Sequence, residues 1–484
     1  MDTLPHPSSD AGSTPSPHEA EGRWRDLLRP RYLVTTVMLC VGVALYAFNG
    51  FLVSTSLPSA VDEFGGAALI SWALTLYLAA SIVAGACAAL LKQTFGSKAT
   101  LAGAGLLFLA GTLIAGMAQD METVLVGRVL QGIGEGIVAA ICYALIPEMF
   151  PPGLIAKVFG AEASIWAIAA FGAPVLAGWL TETISWRAAF LVNVPMILFF
   201  LALAMVMAPA RPKGSRPPFR LPGIRLALLS AGLIAILVAG VASLVVAISL
   251  GAFAALALFA AVRLDRSASA SVLPAGAFNL STALGLGLWV VLLMPVAQAT
   301  ASVYLVYGLQ HVWDLGPTAA GAIGAIMAIS WSLTAILVAS FSSRRHTASS
   351  IRSGPLLQLL GLSGLVAAFS LEMLPLVFIA QLVIGAGFGA SWAFLSKMLM
   401  EESPIGERDK TSALLPTLQS AGFALGAGLA GLVANAAGIE AATASGHVSP
   451  VLAIVFLLGA LWVMPAAIAA RRAVGMAGVS LPDR

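Results

Sequence analysis

The chain has 484 residues, 59% of them hydrophobic and only 10% charged, against about a quarter charged in soluble domains. That composition excludes a soluble globular protein and makes the bilayer the sink for the apolar surface. The net charge of +3 carries less information than where the charges fall.

Residues 1–30 are polar and rich in Pro and Ser, without the short apolar core and cleavage site of a signal peptide. They are expected to form a disordered cytoplasmic tail. A spanning helix needs about 20 apolar residues. Runs of that length lie at 33–57, 69–91, 99–117, 123–146, 157–180 and 188–208. Two tightly joined runs fill 225–263, with no charge marking the turn between them. Six more lie at 281–307, 317–341, 354–371, 374–399, 411–436 and 449–470. The sequence therefore predicts an all-α polytopic membrane protein of fourteen spans. Its expected organisation is a six-helix bundle over 31–210, two additional helices with linkers over 211–266, a second six-helix bundle over 267–470 and a cytoplasmic tail over 471–484.

The basic residues agree with this count. With the N-terminus inside, all of the 25 Lys and Arg fall on the cytoplasmic side except Arg128, within the fourth span, and Arg187. Outside loops carry Asp62, Glu63, Asp120, Glu182, Asp314, Glu372 and Glu440 instead. Positive charge marks the cytoplasmic side, so both termini are expected there, in a cell inner membrane. The chain also repeats itself. Gly-Ile-Gly-Glu-Gly at 132–136 matches Gly-Ala-Gly-Phe-Gly at 385–389, Leu176-Ala177-Gly178 matches Leu429-Ala430-Gly431, and Lys92 falls on Arg345, all at one offset. Two related halves with a site between them near the midplane are a transporter architecture.

Ionisable residues inside a span are costly and so are functional candidates. Arg128 and Glu135 share one face of the fourth span, seven residues apart. Counting from Glu122 at about 1.5 Å per residue, Glu135 lies roughly 20 Å down, near mid-bilayer. It is the leading candidate for carrying protons, with Arg128 as its tuner. Its repeat counterpart is Phe388, so only the first half has the acid. Glu162, early in the fifth span, is a second candidate, with the aromatic Trp166 one turn on. Lys397 lies close enough to a helix end to snorkel. Asn49, in the first span, is a candidate cavity residue, as are Gln131, Trp166 and Phe388. Its rival reading is a helix–helix hydrogen bond. Gly172, Pro174 and Gly178, like Gly422, Gly426 and Gly431, would permit close packing and bending.

Cys40, Cys87 and Cys142 lie in apolar stretches and the five His are scattered, so neither a disulfide nor a metal site is expected. The Gly-x-Gly-x-Gly runs follow no strand and no Walker motif is present. No cofactor, nucleic-acid partner or enzymatic nucleophile–base pair is expected.

These residues resemble the major facilitator superfamily, and within it the fourteen-helix drug:proton antiporter group. Arg128-Val-Leu-Gln131-Gly132-Ile-Gly134 is similar to that family's Arg-x-x-Gln-Gly-x-Gly motif, which implies a role for Arg128 in proton transfer. Gly172-Ala-Pro174-x-x-Ala-Gly178 is similar to its antiporter motif. Trp186-Arg187-Ala-Ala-Phe190-Leu-Val-Asn193-Val-Pro195 is similar to a signature of the fourteen-helix group. The loop Lys92-Gln93-Thr94-Phe95-Gly96-Ser97-Lys98 takes the place of the family's gate loop, with Gln93 where the family has aspartate. Asn49 stands where the family's first helix usually has an acid, nine residues before Pro58, and Glu135 stands where it usually has a small residue. The resemblance implies a monomeric, alternating-access secondary transporter exporting small amphipathic compounds, with Glu135 in the role of the missing acid. A proton-independent facilitator, a metabolite or siderophore exporter, and a non-transporting membrane sensor are the alternative expectations.

Overall fold

A computed structural model describes residues 23–64, 69–210, 223–239, 242, 244–268, 271–315, 317–340 and 343–478. The described elements are helices. Trp24–Leu27 (α1) precedes Pro30–Phe64 (α2), Leu69–Phe95 (α3), Ser97–Gly116 (α4), Met121–Met149 (α5) and Pro152–Thr183 (α6). Trp186–Leu191 (α7) and Asn193–Met207 (α8) complete the first half; Gly223–Ala239 (α9) and Leu244–Arg266 (α10) follow. Ala283–Val312 (α11), Pro317–Val338 (α12), Arg344–Ser370 (α13), Leu374–Glu401 (α14), Arg408–Ala436 (α15), Ile439–Ala444 (α16) and Ser449–Met476 (α17) form the second half.

Among the described residues, thirteen helices are long and apolar enough to cross a membrane, which makes the chain a multi-pass membrane protein. The seventh expected span, α9, has 17 described residues and is not among the thirteen. The chain ends differ from expectation. Residues 1–22 of the expected tail lie outside the described residues. The rest is not a loose tail: α1 docks on α6, and Trp24 donates its indole N–H to Ser340 Oγ at 3.1 Å. Two apolar faces make this ordering favourable, since Trp24 lies against Gly160 of α6. Likewise α17 runs on through Arg471 and Arg472 to Met476, taking the start of the expected C-terminal tail into helix.

The repeat read from the glycines is built into the packing. In α5, Gly132 and Gly136 press on the backbone carbonyls of Tyr77 and Ser81 in α3, while Gly134 meets Ala104 and Phe108 of α4. In α14, Gly385 and Gly389 press on the carbonyls of Met327 and Trp331 in α12, while Gly387 meets Gly354 and Gln358 of α13. A side chain at any of these positions would collide with backbone. The partners Tyr77 and Met327 are three residues nearer in register than the glycines are, as are Ala104 and Gly354. The single offset therefore holds for α5 and α14 but not for the helices they pack on. The match of Lys92 with Arg345 does not survive this shift.

The halves meet along two seams: α6 packs on α12 and α14, and α15 packs on α3 and α5. Helix α9 lies over the second seam, touching both α3 and α15, whereas α10 packs chiefly on α9.

Candidate functional site

Four of the residues singled out in the sequence converge in the first half, together with one that was missed. Asn49 of α2, Arg128, Gln131 and Glu135 of α5 are all fully buried. Asn49 Nδ2 donates to Glu135 Oε2 at 2.8 Å. Glu135 Oε1 accepts a short hydrogen bond from the Tyr77 hydroxyl of α3. The Arg128 guanidinium sits over the Tyr77 ring, 3.8 Å from its centroid, an arrangement attractive for a cation above an aromatic face. The same guanidinium donates to Gln131 Oε1 at 2.8 Å, and Gln131 Nε2 donates to Thr112 of α4 at 3.0 Å.

Arg128 and Glu135 therefore do not pair directly: Tyr77 stands between them, facing the cation with its ring and the carboxyl with its hydroxyl. The missing sequence signal was a tyrosine within an apolar span, which at a burial of 96% must place its hydroxyl on a partner. The backbone is shaped for this contact, because Gly132 lets α5 close onto the Tyr77 carbonyl. Asn49 makes a helix–helix hydrogen bond, one of its two expected roles. Gln131 likewise lies buried between α4 and α5, and does not line an open cavity.

Glu162 of α6 is 2% exposed, and neither carboxyl oxygen has a hydrogen-bond partner. It is not part of the Glu135 network. An uncompensated buried charge is expensive, so this position calls for a proton or a cation.

Trp166 and Phe388 come together through a residue the sequence reading did not single out. Trp166 of α6 stacks on Trp331 of α12 with centroids 6.3 Å apart, and Trp331 lies 5.2 Å from Phe388 of α14. Tyr46 of α2 meets the edge of Trp166 at 5.4 Å and shares a 2.5 Å hydrogen bond with Ser420 of α15. This aromatic row crosses from one half to the other.

The gate loop is also resolved into parts. Lys92, 6% exposed, reaches Asp409 of α15 at 2.7 Å and Glu148 of α5 at 3.1 Å. Its ammonium thus ties the two halves at the basic face. Lys157 Nζ donates across the other seam to the Ala339 carbonyl at 3.0 Å. Gln93 is exposed and Lys98 half-buried. Gly96 has φ = 84°, a left-handed conformation that suits glycine, and it turns the chain into α4.

Close packing by the antiporter-motif glycines is not seen. A Cβ on Gly172 or Gly178 would meet nothing within 4 Å. Helix α6 instead packs on α2 through Ala173 and Ala177, and Pro174 lies in the same stretch. By contrast Gly422 and Gly426 press on the Leu292 and Val296 carbonyls of α11. Lys92 and Lys157 close the halves on each other at the basic face, and Glu63 lies at the opposite one. At that opposite face, Glu63 accepts a two-pronged ion pair from Arg187, both bonds 2.8 Å, and a third from Trp186. These hydrogen bonds, Arg187's first, hold the Glu63 carboxyl at about 2.

Two helical bundles that meet along two seams, with ionisable groups buried inside their spanning helices, have the architecture of a membrane transporter. The chain belongs to the Major Facilitator Superfamily: residues 39–351 match that family's model. A probable multidrug-efflux transporter of Mycobacterium tuberculosis is 33% identical over 444 residues, covering 88% of this chain and 92% of that one. The multidrug efflux pump SdrM of Staphylococcus aureus is 22% identical, over 90% of this chain and 98% of its own. Among solved structures, the human organic anion transporter MFSD10 superposes with a TM-score of 0.64 at 14% identity, over 90% of this chain and 100% of that one. The proton:xylose symporter XylE does so with a TM-score of 0.60 at 15% identity, over 89% and 94%. At such identities the structural likeness speaks for the fold alone.

Proposed function

We propose that this transporter exports small amphipathic compounds in exchange for protons, with its basic face and both termini in the cytoplasm and Glu135 as the proton carrier. One observation carries the assignment. The Glu135 carboxyl is held by side chains from two other helices, Asn49 of α2 and Tyr77 of α3. Any rearrangement of these helices during alternating access changes the donors around that carboxyl, and so its hold on a proton. Asn49 touches Glu135, so the acid has changed helices while staying at one place in the bundle. Arg128, one tyrosine away, would tune the site, and Glu162 would supply a second acid for a proton or a cationic substrate. The aromatic row Trp166–Trp331–Phe388 offers flat apolar surfaces suited to amphipathic molecules. The efflux functions named for the mycobacterial and staphylococcal relatives support the direction of transport.

The test uses inside-out vesicles with an acid interior and a pH-sensitive dye, to which lipophilic cations and antibiotics are added. Wild type is expected to release protons on substrate addition and Glu135→Gln is not. Full antiport retained in Glu135→Gln would remove the assignment. Asn49, in place of the expected acid, favours a second reading: a facilitator that moves its substrate without protons. That reading predicts labelled-substrate uptake indifferent to an uncoupler.

A further inference from the structure

A large cavity among the described residues lies away from the Glu135 cluster. It is a crevice of about 1210 Å³ between the α9–α10 hairpin and the seam of α3, α11 and α15. That volume exceeds the roughly 300–1,000 Å³ of pockets built for drug-sized ligands. Its walls are apolar, among them Ile82, Leu233, Trp289 and Leu425. Its mouth is not: Arg225, Arg263, Asp265 and Arg266 line it at the basic face.

We propose that this crevice holds one anionic phospholipid of the leaflet at the basic face, with acyl chain inside and phosphate at the arginines. Three observations support that occupant. The depth fits: along α15 the lining runs from Leu414 to Leu425, roughly 16 Å at 1.5 Å per residue, and half a hydrocarbon core is about 15 Å. The charge fits as well. Asp265 is occupied by its ion pair with Arg225 and by the backbone N–H groups of Val272 at 2.9 Å and Leu273 at 2.8 Å. The Arg263 and Arg266 side chains are exposed and leave the mouth with surplus positive charge. Basic pockets between spanning helices on the cytoplasmic side are lipid-headgroup sites. Third, the walls belong to spanning helices, with α10 standing off α15, so the crevice lies where lipid chains are the solvent.

The crevice also crosses the seam between the halves. Ile82 and Ala86 come from the first half, Leu414 and Leu418 from the second. Movement of α3 against α15 therefore reshapes it, and the bound lipid favours whichever state leaves it whole.

The experiment reconstitutes the full chain in phosphatidylcholine vesicles containing increasing fractions of phosphatidylglycerol brominated in its acyl chains. Trp289 lines the crevice, and its fluorescence is isolated by subtracting the Trp289→Phe protein. Trp289 is expected to be quenched at a lower mole fraction of brominated phosphatidylglycerol than of brominated phosphatidylcholine. Arg263→Gln with Arg266→Gln should weaken the anionic lipid's binding roughly 30-fold, about fivefold per guanidinium. Ala255→Phe, at an exposed crevice position, should remove quenching by both lipids. Equal quenching by the two lipids, no response to the arginine substitutions, or no response to Ala255→Phe would each overturn the proposal. So would displacement by a water-soluble phosphodiester, since the acyl chain would then contribute nothing. Transport plays no part in the readout.

Discussion

Removing the Lys92 ammonium should unlock the basic face. Lys92→Met keeps most of the length of the side chain and deletes its charge. The lost interactions are the 2.7 Å bond to Asp409 across the halves and the 3.1 Å bond to Glu148 within the first half. A hydrogen bond to a charged group contributes about 1.5–3 kcal/mol. The Asp409 carboxylate is 26% exposed, so the lower end applies. The Glu148 carboxylate is 44% exposed, so its pair contributes at most about 1 kcal/mol. Only the Asp409 bond crosses the seam, but both carboxylates, left without the cation, repel each other in the closed state alone. A shift of about 2 kcal/mol follows, or roughly 30-fold in the ratio of closed to open. Spin labels at Phe95 of α3 and at Glu402, just past α14, both exposed, would report the separation of the halves at this face. The three native cysteines would first be replaced. Lys92→Met should move the pulsed-EPR distance distribution in nanodiscs toward longer separations. An unchanged distribution would show that the ion pair follows closure without contributing to it.

Four other outcomes are expected. Asn49→Asp combined with Glu135→Asn puts the carboxyl on the facing helix and should restore proton release that Glu135→Gln abolishes; a silent double variant would mean that the acid's helix matters. Arg128→Lys should impair antiport strongly, because an ammonium cannot cover the Tyr77 ring while also reaching Gln131; vesicle dye quenching checks it. Gly136→Ala sets a methyl against the Ser81 backbone and should cost about 1–3 kcal/mol, read as a lower melting temperature, whereas Gly178→Ala should be silent in the same scan. The Glu63–Arg187 pair has a definite pH window. The Glu63 carboxyl lies at about 2, below its ordinary 4.5, so its stabilisation is full above the ordinary value and is lost as pH falls from there toward 2. The melting-temperature difference between wild type and Glu63→Gln should be constant above pH 5 and close toward pH 2.

Much of the scaffold could be read directly because the bilayer imposes one rule, about 20 apolar residues per crossing. The two runs expected inside 225–263 are present as α9 and α10. The short helices α1, α7 and α16 escaped because none has the length that carries a hydropathy signal; each is held by tertiary contacts such as Trp24 with Ser340. The site was half legible. Glu135, Arg128 and Asn49 stood out because polar groups in a span are rare. Tyr77 and Trp331 did not, since aromatic residues are at home in apolar helices and only packing shows what their edges touch. The partners of Lys92 were out of reach for another reason. Asp409 lies more than 300 positions away, and nothing local marks a carboxylate as one that crosses a seam. At Gly172 and Gly178 the sequence suggested packing and the structure leaves space, because the neighbouring Ala173 and Ala177 carry the contact with α2.

The two halves share a scaffold and divide the chemistry. Gly132, Gly134 and Gly136 do for α5 what Gly385, Gly387 and Gly389 do for α14, so each half brings one helix into backbone contact with two neighbours. Such contacts leave little slack, and interiors this tight move as bodies. The position enclosed by those glycines is Glu135 in one half and Phe388 in the other. The rigid frame that carries the carboxyl and Trp166 therefore faces a rigid frame that carries Trp331 and Phe388. Rocking one against the other changes the spacing of Trp166 from Trp331, and the side from which Glu135 can be reached, in a single motion. Coupling between a proton on Glu135 and a substrate between the rings then needs no chain of intermediate residues, only that both sites respond to the same displacement. On this reasoning, filling the space between the rings with a bulkier substrate and neutralising Glu135 should bias the same equilibrium, and the spin-label distance at the basic face should respond to both. Labels that respond to substrate but not to Glu135→Gln would separate the two sites and leave Glu135 a structural acid.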